Sequence, residues 1–595
     1  MRAPVKTRLG KLARLRGESG YQTTINNSEP AIPFNSKQGG KLSLTGSRKM
    51  VSLQSQSRIT LAMAIICAIY VVISGRLMYF GFLEPSDSVR LQLTDPTITA
   101  RRPDIVDRDG RTLATDLNTA SLYGEPNRIV DVDDAVEQLA SVLPSLDIQQ
   151  VHKRLSSKAG FVWLQRELTP AQQNMILELG IPGIGFKRET RRFYPGGTVA
   201  SHLVGHVNID NVGIAGSEKV IDDLGLRDLR AAGFASVTPT EPVHLSIDLR
   251  VQSIVHDELE KAMELYHAIA AGAVVLDVHT GEVIAMASLP DYDSNVPAQA
   301  LEPDRMNRMS GGLYEMGSTF KAFTTAMALD SGLVTLASKF DARQPLKIGG
   351  FTINDFHGKR RILSVPEVFI YSSNIGSAKM ADVVGIEAHR AFLHRMGLLD
   401  KTAFELHETA TPVEPAEWKK INSVTISYGH GVTTTPLQTA VAGAALINGG
   451  KLIPPTIFKR TREEADAIAK QVIKPSTSEA MRYLFRLNVE DGSGRRADVD
   501  GYWVGGKTGT AEKVVNGRYS TDKRFNAFLA AYPIDDPQYM VLTIIDEPKP
   551  ESEGVGATAG LNAAPMVSNI IRRFAPLLGV KPQFGKDLQM MSVKY

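Results

Sequence analysis

The sequence predicts an α+β protein of several domains: one membrane helix near the N-terminus, then two α+β domains, the second built on a sheet packed with helices. Three observations predict it. A long apolar run follows a basic tail; strand-like runs alternate with helical stretches from about residue 84 to 240; and from about 241 to 580, strands bracket a helical middle. At 595 residues the chain is long enough for more than one core.

Residues 1–58 hold eleven Lys and Arg against two Glu, while the remaining 537 carry 56 basic and 62 acidic groups. The chain is a basic tail on a mildly acidic body. Residues 17–58 are rich in Ser, Gln, Asn, Gly and Thr with little apolar periodicity, so 1–58 is expected to be disordered. Membrane topology and anionic lipid account for its charge, and no nucleic-acid partner is expected.

Residues 59–75 are uncharged and mostly apolar, and Arg76 separates them from the apolar 77–83. Seventeen residues reach roughly 26 Å, and the stretch past Arg76 completes a span over 59–83 if that side chain snorkels outward. The 58 preceding residues are too long for the n-region of a cleaved signal peptide. The basic flank places 1–58 in the cytoplasm and the body outside, as a single-pass membrane protein. Cys67, the only cysteine, falls in the span, which leaves the exported body without disulfides. The twelve histidines show no H-E-x-x-H or paired Cys/His spacing, so neither a metal nor a cofactor is expected.

In the membrane-proximal domain, 84–240, Asp107-Arg108-Asp109-Gly110-Arg111 is a turn between strands, and 134–143 and 170–179 read as helices. Two further segments, Arg192-Phe193-Tyr194-Pro195-Gly196-Gly197 and Gly213-Ile214-Ala215-Gly216-Ser217-Glu218, read from the residues alone as turns without chemistry. In the next domain, 241–580, residues 243–247 read as a strand, 250–265 as an amphipathic helix, and 271–278 and 283–288 as strands. Helices dominate to about 450. Strands return at 502–504, 526–532 and 539–545, a helix over 567–576 closes the domain, and 581–595 form a tail. Strands at both ends of one domain predict that the first and last are neighbours in a sheet.

Ser318-Thr319-Phe320-Lys321 leads into a run of helix formers. Positions i and i+3 share a helix face, so the Ser318 hydroxyl can meet the Lys321 amine as nucleophile and base. A second S-x-x-K, Ser520-Thr521-Asp522-Lys523, is polar, follows an Asn516-Gly517 turn and is expected in a loop. The first copy is followed in order by Ser372-Ser373-Asn374 and Lys507-Thr508-Gly509-Thr510. Lys321 is a base only when neutral; partial burial and a second cation, Lys507, would lower its pKa. The helix start offers the Ser318 N–H as an oxyanion donor, and Thr510 a second if its strand runs alongside. Ser372 can relay protons and Asn374 can hold an amide, although Ser372-Ser373-Asn374 alone would read as a cap or turn.

Gly501-Tyr502-Trp503-Val504-Gly505-Gly506-Lys507-Thr508 matches the phosphate-loop pattern, but its variable positions hold strand formers and a hairpin, 514–519, follows instead of a helix. A strand that sets Lys507 and Thr508 beside an extended peptide fits better.

Together these motifs resemble the class B penicillin-binding proteins, most closely the division-specific FtsI type, from the membrane segment to about residue 575. Supporting elements are Ser427-Tyr428-Gly429-His430-Gly431, Thr435-Pro436-Leu437-Gln438, Arg192-x-Tyr194-Pro195-Gly196 and Gly213-x-x-Gly216-x-Glu218. Arg102-Pro103-Asp104-Ile105 departs from the family, which usually has glycine after the arginine. The resemblance implies an elongated α+β pedestal and a transpeptidase domain with a central antiparallel sheet flanked by helices. It implies that Ser318 attacks the penultimate D-Ala carbonyl of a peptidoglycan stem peptide and passes the acyl group to an amine on a neighbouring stem. Lys507 and Thr508, with Gly509 and Thr510, would bind the terminal carboxylate side of the substrate, and β-lactams would acylate the same serine. The implied partners are an FtsW-type glycan polymerase and other divisome membrane proteins.

A β-lactamase would need an E-x-x-x-N element between Asn374 and Lys507; Glu417 and Asn422 are one residue too far apart. A D,D-carboxypeptidase shares the acylation with water as acceptor, and an elongation-type transpeptidase shares all the chemistry. A non-catalytic divisome scaffold is the reading from another class, and the intact motifs weigh against it.

Overall fold

The computed structural model describes residues 63–64, 66–76, 102–226, 241–515 and 517–584. The tail 1–58, residues 84–101, the expected boundary at 240 and residues 585–595 lie outside the described residues. Of the expected span over 59–83, residues 63–64 and 66–76 are helical and exposed and the rest lies outside; among the described residues no helix is long and apolar enough to cross a membrane. Two compact units divide the chain, Met1–Leu93 and Thr94–Tyr595.

The second unit opens with β1 (Ile105–Val106) and β2 (Thr112–Gly124) around the expected turn. Asp107 Oδ1 closes that turn by accepting from the backbone of Asp109 (2.9 Å) and Arg111 (2.8 Å). Helices α1 (Val132–Val142) and α2 (Ile148–Leu155) start at Asp131 and Asp147, whose carboxylates take first-turn N–H groups. After β3 (Val162–Leu168), α3 (Pro170–Leu179) begins in a Thr169/Gln172 capping box with proline in its first turn, and β4 (Ile184–Phe193) follows. The sheet runs β3-β2-β1-β5, with β4 also paired to β2, where β5 (Val243–His244) lies parallel to β1. The strand expected over 243–247 is thus two residues long and joins the pedestal sheet. Leu122, Leu164 and Leu168 turn one face toward Val136, Leu139, Val151 and Ile176 of the three helices.

The segments read as turns without chemistry form the centre of this domain. Arg192 bonds Glu218 (2.6 Å), Asp116 (3.1 Å) and the Pro103 carbonyl (2.8 Å); Arg102 bonds Glu218 (2.8 Å) and Asp222 (2.7 Å). All five side chains are buried. At Pro103, where the family usually has glycine, the network uses only a backbone carbonyl, which proline supplies.

In the second domain α4 (Leu249–Tyr266) precedes the hairpin of β6 (Ala270–Asp277) and β7 (Val283–Leu289). The helical middle includes α5 (Phe320–Asp330), α6 (Asn374–Val384), α7 (Pro436–Ala445) and α8 (Pro475–Glu490). Strands β8 (Gly505–Val515), β9 (Arg518–Tyr532) and β10 (Tyr539–Asp546) lead to α9 (Ala563–Phe574). The sheet order is β8-β9-β10-β6-β7, antiparallel throughout, so first and last strands are neighbours as expected.

Both faces of this sheet are buried, with period-two alternation. Val274, Leu276, Leu529, Leu542 and Ile544 face the core of α5, α7 and α8, while Ala273, Val275, Phe528, Ala530 and Val541 face the core of α4 and α9. Two expectations fail here. Residues 502–504 form no strand: Tyr502 makes an isolated bridge to Val499, and β8 begins at Gly505. Ser520-Thr521-Asp522-Lys523 lies inside β9, not in a loop, because the 514–519 hairpin carries both strands outward. Lys523 Nζ is paired with Glu547 (3.2 Å).

Candidate active site

Ser318 sits in a single 3-10 turn, Gly317–Thr319, that runs straight into α5. The Thr319 hydroxyl pins this turn by donating to Met316 O (2.7 Å). One helical turn on, Lys321 is buried, with Nζ 3.1 Å from Ser318 Oγ. The same nitrogen lies 3.0 Å from Ser372 Oγ and 2.5 Å from Ser372 O. Lys507 Nζ, also buried, lies 3.1 Å from Ser372 Oγ and donates to Thr508 O (3.2 Å). Ser318, Lys321, Ser372 and Lys507 therefore form one continuous chain of polar atoms, each within hydrogen-bond reach of the next.

Burial pushes the Lys321 amine well below the ordinary lysine range, and repulsion from Lys507 pushes it the same way. Burial lowers Lys507 to about 7. The sequence reading named the neighbouring cation as well as burial, and burial is the larger cause. A neutral Lys321 amine has a lone pair for the Ser318 proton, and a hydroxyl placed between two amines can pass a proton either way.

Ser372-Ser373-Asn374 divides its work. Ser373 is the cap: its hydroxyl accepts from Gly376 N (2.9 Å) at the start of α6 and donates to Asp355 Oδ2 (2.7 Å). Ser372, just before it, takes a left-handed conformation (φ 54°) that turns its hydroxyl to the two lysines. Asn374 is held by its amide on Asn354 O (2.9 Å).

Lys507, Thr508, Gly509 and Thr510 lie on the edge strand β8. Thr508 Oγ1 is 2.6 Å from Ser493 Oγ, and Thr510 Oγ1 accepts from Ala559 N (3.1 Å). A Cβ on Gly509 would stand 2.5 Å from Met316 O, so the strand touches the turn that carries Ser318. Thr510 thereby comes alongside that turn, where a Cβ on Gly317 would stand 2.7 Å from its carbonyl oxygen.

Glu315 closes the rim. Its carboxylate faces His430 Nδ1 (3.0 Å) and accepts from Gly431 N (2.8 Å) and the Tyr519 hydroxyl (3.2 Å). Burial and this carboxylate push the Tyr519 pKa up, which keeps the hydroxyl a donor. Of the supporting elements, 427–431 therefore binds the loop before Ser318, whereas Thr435 and Pro436 only start α7 and Gln438 ties it to Gly397 O (2.6 Å).

The sequence reading missed Glu315, Asn354, Asp355 and Ser493. Ser373 gave a cap signal, but nothing in the spacing pointed to Asp355 eighteen positions upstream.

Known proteins match on both halves. The model of the penicillin binding protein transpeptidase domain matches residues 271–572, and that of the penicillin-binding protein dimerisation domain matches 97–224. The probable peptidoglycan D,D-transpeptidase FtsI of Caulobacter vibrioides is 41% identical over 498 residues, 81% of this chain and 82% of that protein. The probable peptidoglycan D,D-transpeptidase PenA of Neisseria gonorrhoeae is 31% identical over 577 residues, 91% and 96% of the two chains. The peptidoglycan D,D-transpeptidase FtsI of Escherichia coli K12 is 29% identical over 528 residues, 84% and 88%.

Proposed function

The chain belongs to the class B penicillin-binding proteins of the FtsI type, and we propose from this that it cross-links peptidoglycan stem peptides at the division septum through an acyl-enzyme on Ser318. It is a serine D-Ala-D-Ala transpeptidase. The observation that carries the residue roles is the unbroken chain Ser318, Lys321, Ser372, Lys507, with burial pushing the Lys321 pKa down.

Ser318 Oγ attacks the penultimate D-Ala carbonyl carbon while its proton passes to Lys321 Nζ. The Ser318 and Thr510 backbone N–H groups hold the oxyanion. The C–N bond then breaks, and the leaving D-Ala amine takes a proton relayed from Lys321 through Ser372. An amine on a neighbouring stem attacks the ester, loses a proton along the same relay and releases Ser318. Lys507 and Thr508 hold the substrate's terminal carboxylate, with Gly509 allowing close approach, and Asn374 holds a stem amide. β-Lactams acylate the same serine.

Mass spectrometry after penicillin treatment should place the adduct on the peptide holding Ser318; an adduct on Ser372 or Ser520, or labelling of Ser318→Ala, would overturn the assignment. Lys321→Ala should slow acylation by about a hundredfold to ten-thousandfold. An unchanged rate would remove Lys321 as the base.

Residues 59–83 form the inner-membrane anchor in this reading, with 1–58 cytoplasmic, 84–240 the pedestal, 241–580 the periplasmic catalytic domain and 581–595 a tail. The basic flank supports that orientation. Protease added to spheroplasts should digest the body and spare 1–58. A monofunctional cross-linker needs glycan made beside it, so the partners are an FtsW-type polymerase and other divisome membrane proteins. Depletion should give filaments and a fluorescent fusion should gather at midcell; rounded cells with a lateral fusion would favour the elongation-type reading.

A further inference from the structure

The pedestal sheet has a second face, turned away from α1–α3. Trp163, Tyr123 and Gly185 form one row across β3, β2 and β4. Tyr123 lies flat on bare backbone: a Cβ on Gly185 would stand 2.6 Å from the ring carbon Cζ and the hydroxyl. Phe161, 45% exposed, stacks on Tyr123 with centroids 4.9 Å apart and meets Trp163 edge-on at 4.9 Å. Arg166 and Lys187 reach over the Trp163 ring at 5.7 and 5.8 Å from its centroid. Arg166 is braced by two bonds to Glu189 (3.0 and 3.2 Å).

Two rings on the strands and a third, Phe161, just before β3, edged by cations and a carboxylate, lie away from the sheet's core, which is on the opposite face. We propose that this platform binds the glycan strand of peptidoglycan, an inference that rests on the transpeptidase reading above. Tyr123 is sandwiched between Gly185 and Phe161 and Trp163 carries cations over its ring, so the open ring is that of Phe161, whose face carries negative quadrupole charge and attracts the polarised C–H face of a pyranose ring. Arg166 and Glu189 are taken up by each other and by Asp210, Ile209 O and Ser121, so the exposed Lys187 is the group that offers donors to hydroxyl and acetamido oxygens. The exposed Lys187 also complements the stems, each of which ends in a carboxylate. The platform would hold the strand whose stems the catalytic cleft joins, which raises their local concentration there.

The test is fluorescence anisotropy of labelled, peptide-free glycan strands with the full chain in detergent. Binding should weaken at least tenfold in Phe161→Ala and in Trp163→Ala, and less in Trp163→Phe. Acylation by fluorescent penicillin, which carries no sugar, should stay unchanged in all three and reports that they are folded. Strands that bind the variants as tightly as the parent, or not at all to the parent, overturn the proposal. So does a change of oligomeric mass in Phe161→Ala, which would make this face an interface between copies. A parent chain that binds strands but resists penicillin would sink the transpeptidase reading instead.

Discussion

Lys507 sits where burial opposes its own charge. Its pKa is lowered to about 7 in the folded chain, while the unfolded chain holds the proton up to the ordinary lysine range. Between those limits the unfolded state binds more protons, so stability should rise with pH from about 7 to about 10. The melting temperature of Lys507→Met should be flatter over that window than that of the parent. The proposed pairing of Lys507 with the drug's carboxylate requires acylation by penicillin to fall as pH rises through about 7; a flat profile would remove that role. Ser372 gives a second test, since its left-handed backbone favours glycine. Ser372→Gly and Ser372→Ala both lose the hydroxyl and should both acylate slowly, yet the glycine variant should be more stable by about 1 kcal/mol in urea unfolding. The contact of Ser318 with Lys321 was legible because i and i+3 spacing is local, and the approach of Ser372 and Lys507 because the motifs come in order. Asp355 and Ser493 were not, since their partners lie 18 and 15 positions away with no period connecting them.

Among the elements, β8 is the most constrained, because it must touch the Gly317–Thr319 turn while pairing along β9. Gly509→Ala should push the strand off that turn. A displacement of about 1 Å should cost about a hundredfold in the acylation rate, read by penicillin labelling at several times. Normal labelling would mean that the turn yields freely. Helices with caps and apolar periodicity were legible to within a few residues: α3 was expected at 170–179 and spans Pro170–Leu179. Short strands were less so. Trp503 and Val504 have strand-forming side chains, yet both are buried by tertiary packing, and the Trp503 carbonyl takes Ile534 N (2.7 Å) instead of a ladder partner.

Across the whole molecule, the pedestal depends on a buried ionic cluster that sequence alone presented as glycine-rich turns. Arg192→Ala would leave Glu218 and Asp116 short of a counter-charge, and the urea transition should lose about 3–5 kcal/mol. Arg192→Lys should restore little, because an ammonium cannot span two carboxylates and the Pro103 carbonyl as a guanidinium does. The central sheet has another consequence. Its β6 strand pairs with β10, which is synthesised about 260 residues later. A chain delivered from its N-terminus therefore waits with the β6 edge open until β10 arrives, and pairing so distant in sequence is slow. The serine and the strand that completes its surroundings are separated in the same way. The arrangement of Ser318 and Lys507 is thus incomplete until nearly all of the chain has emerged, and the open edge stays exposed during that wait.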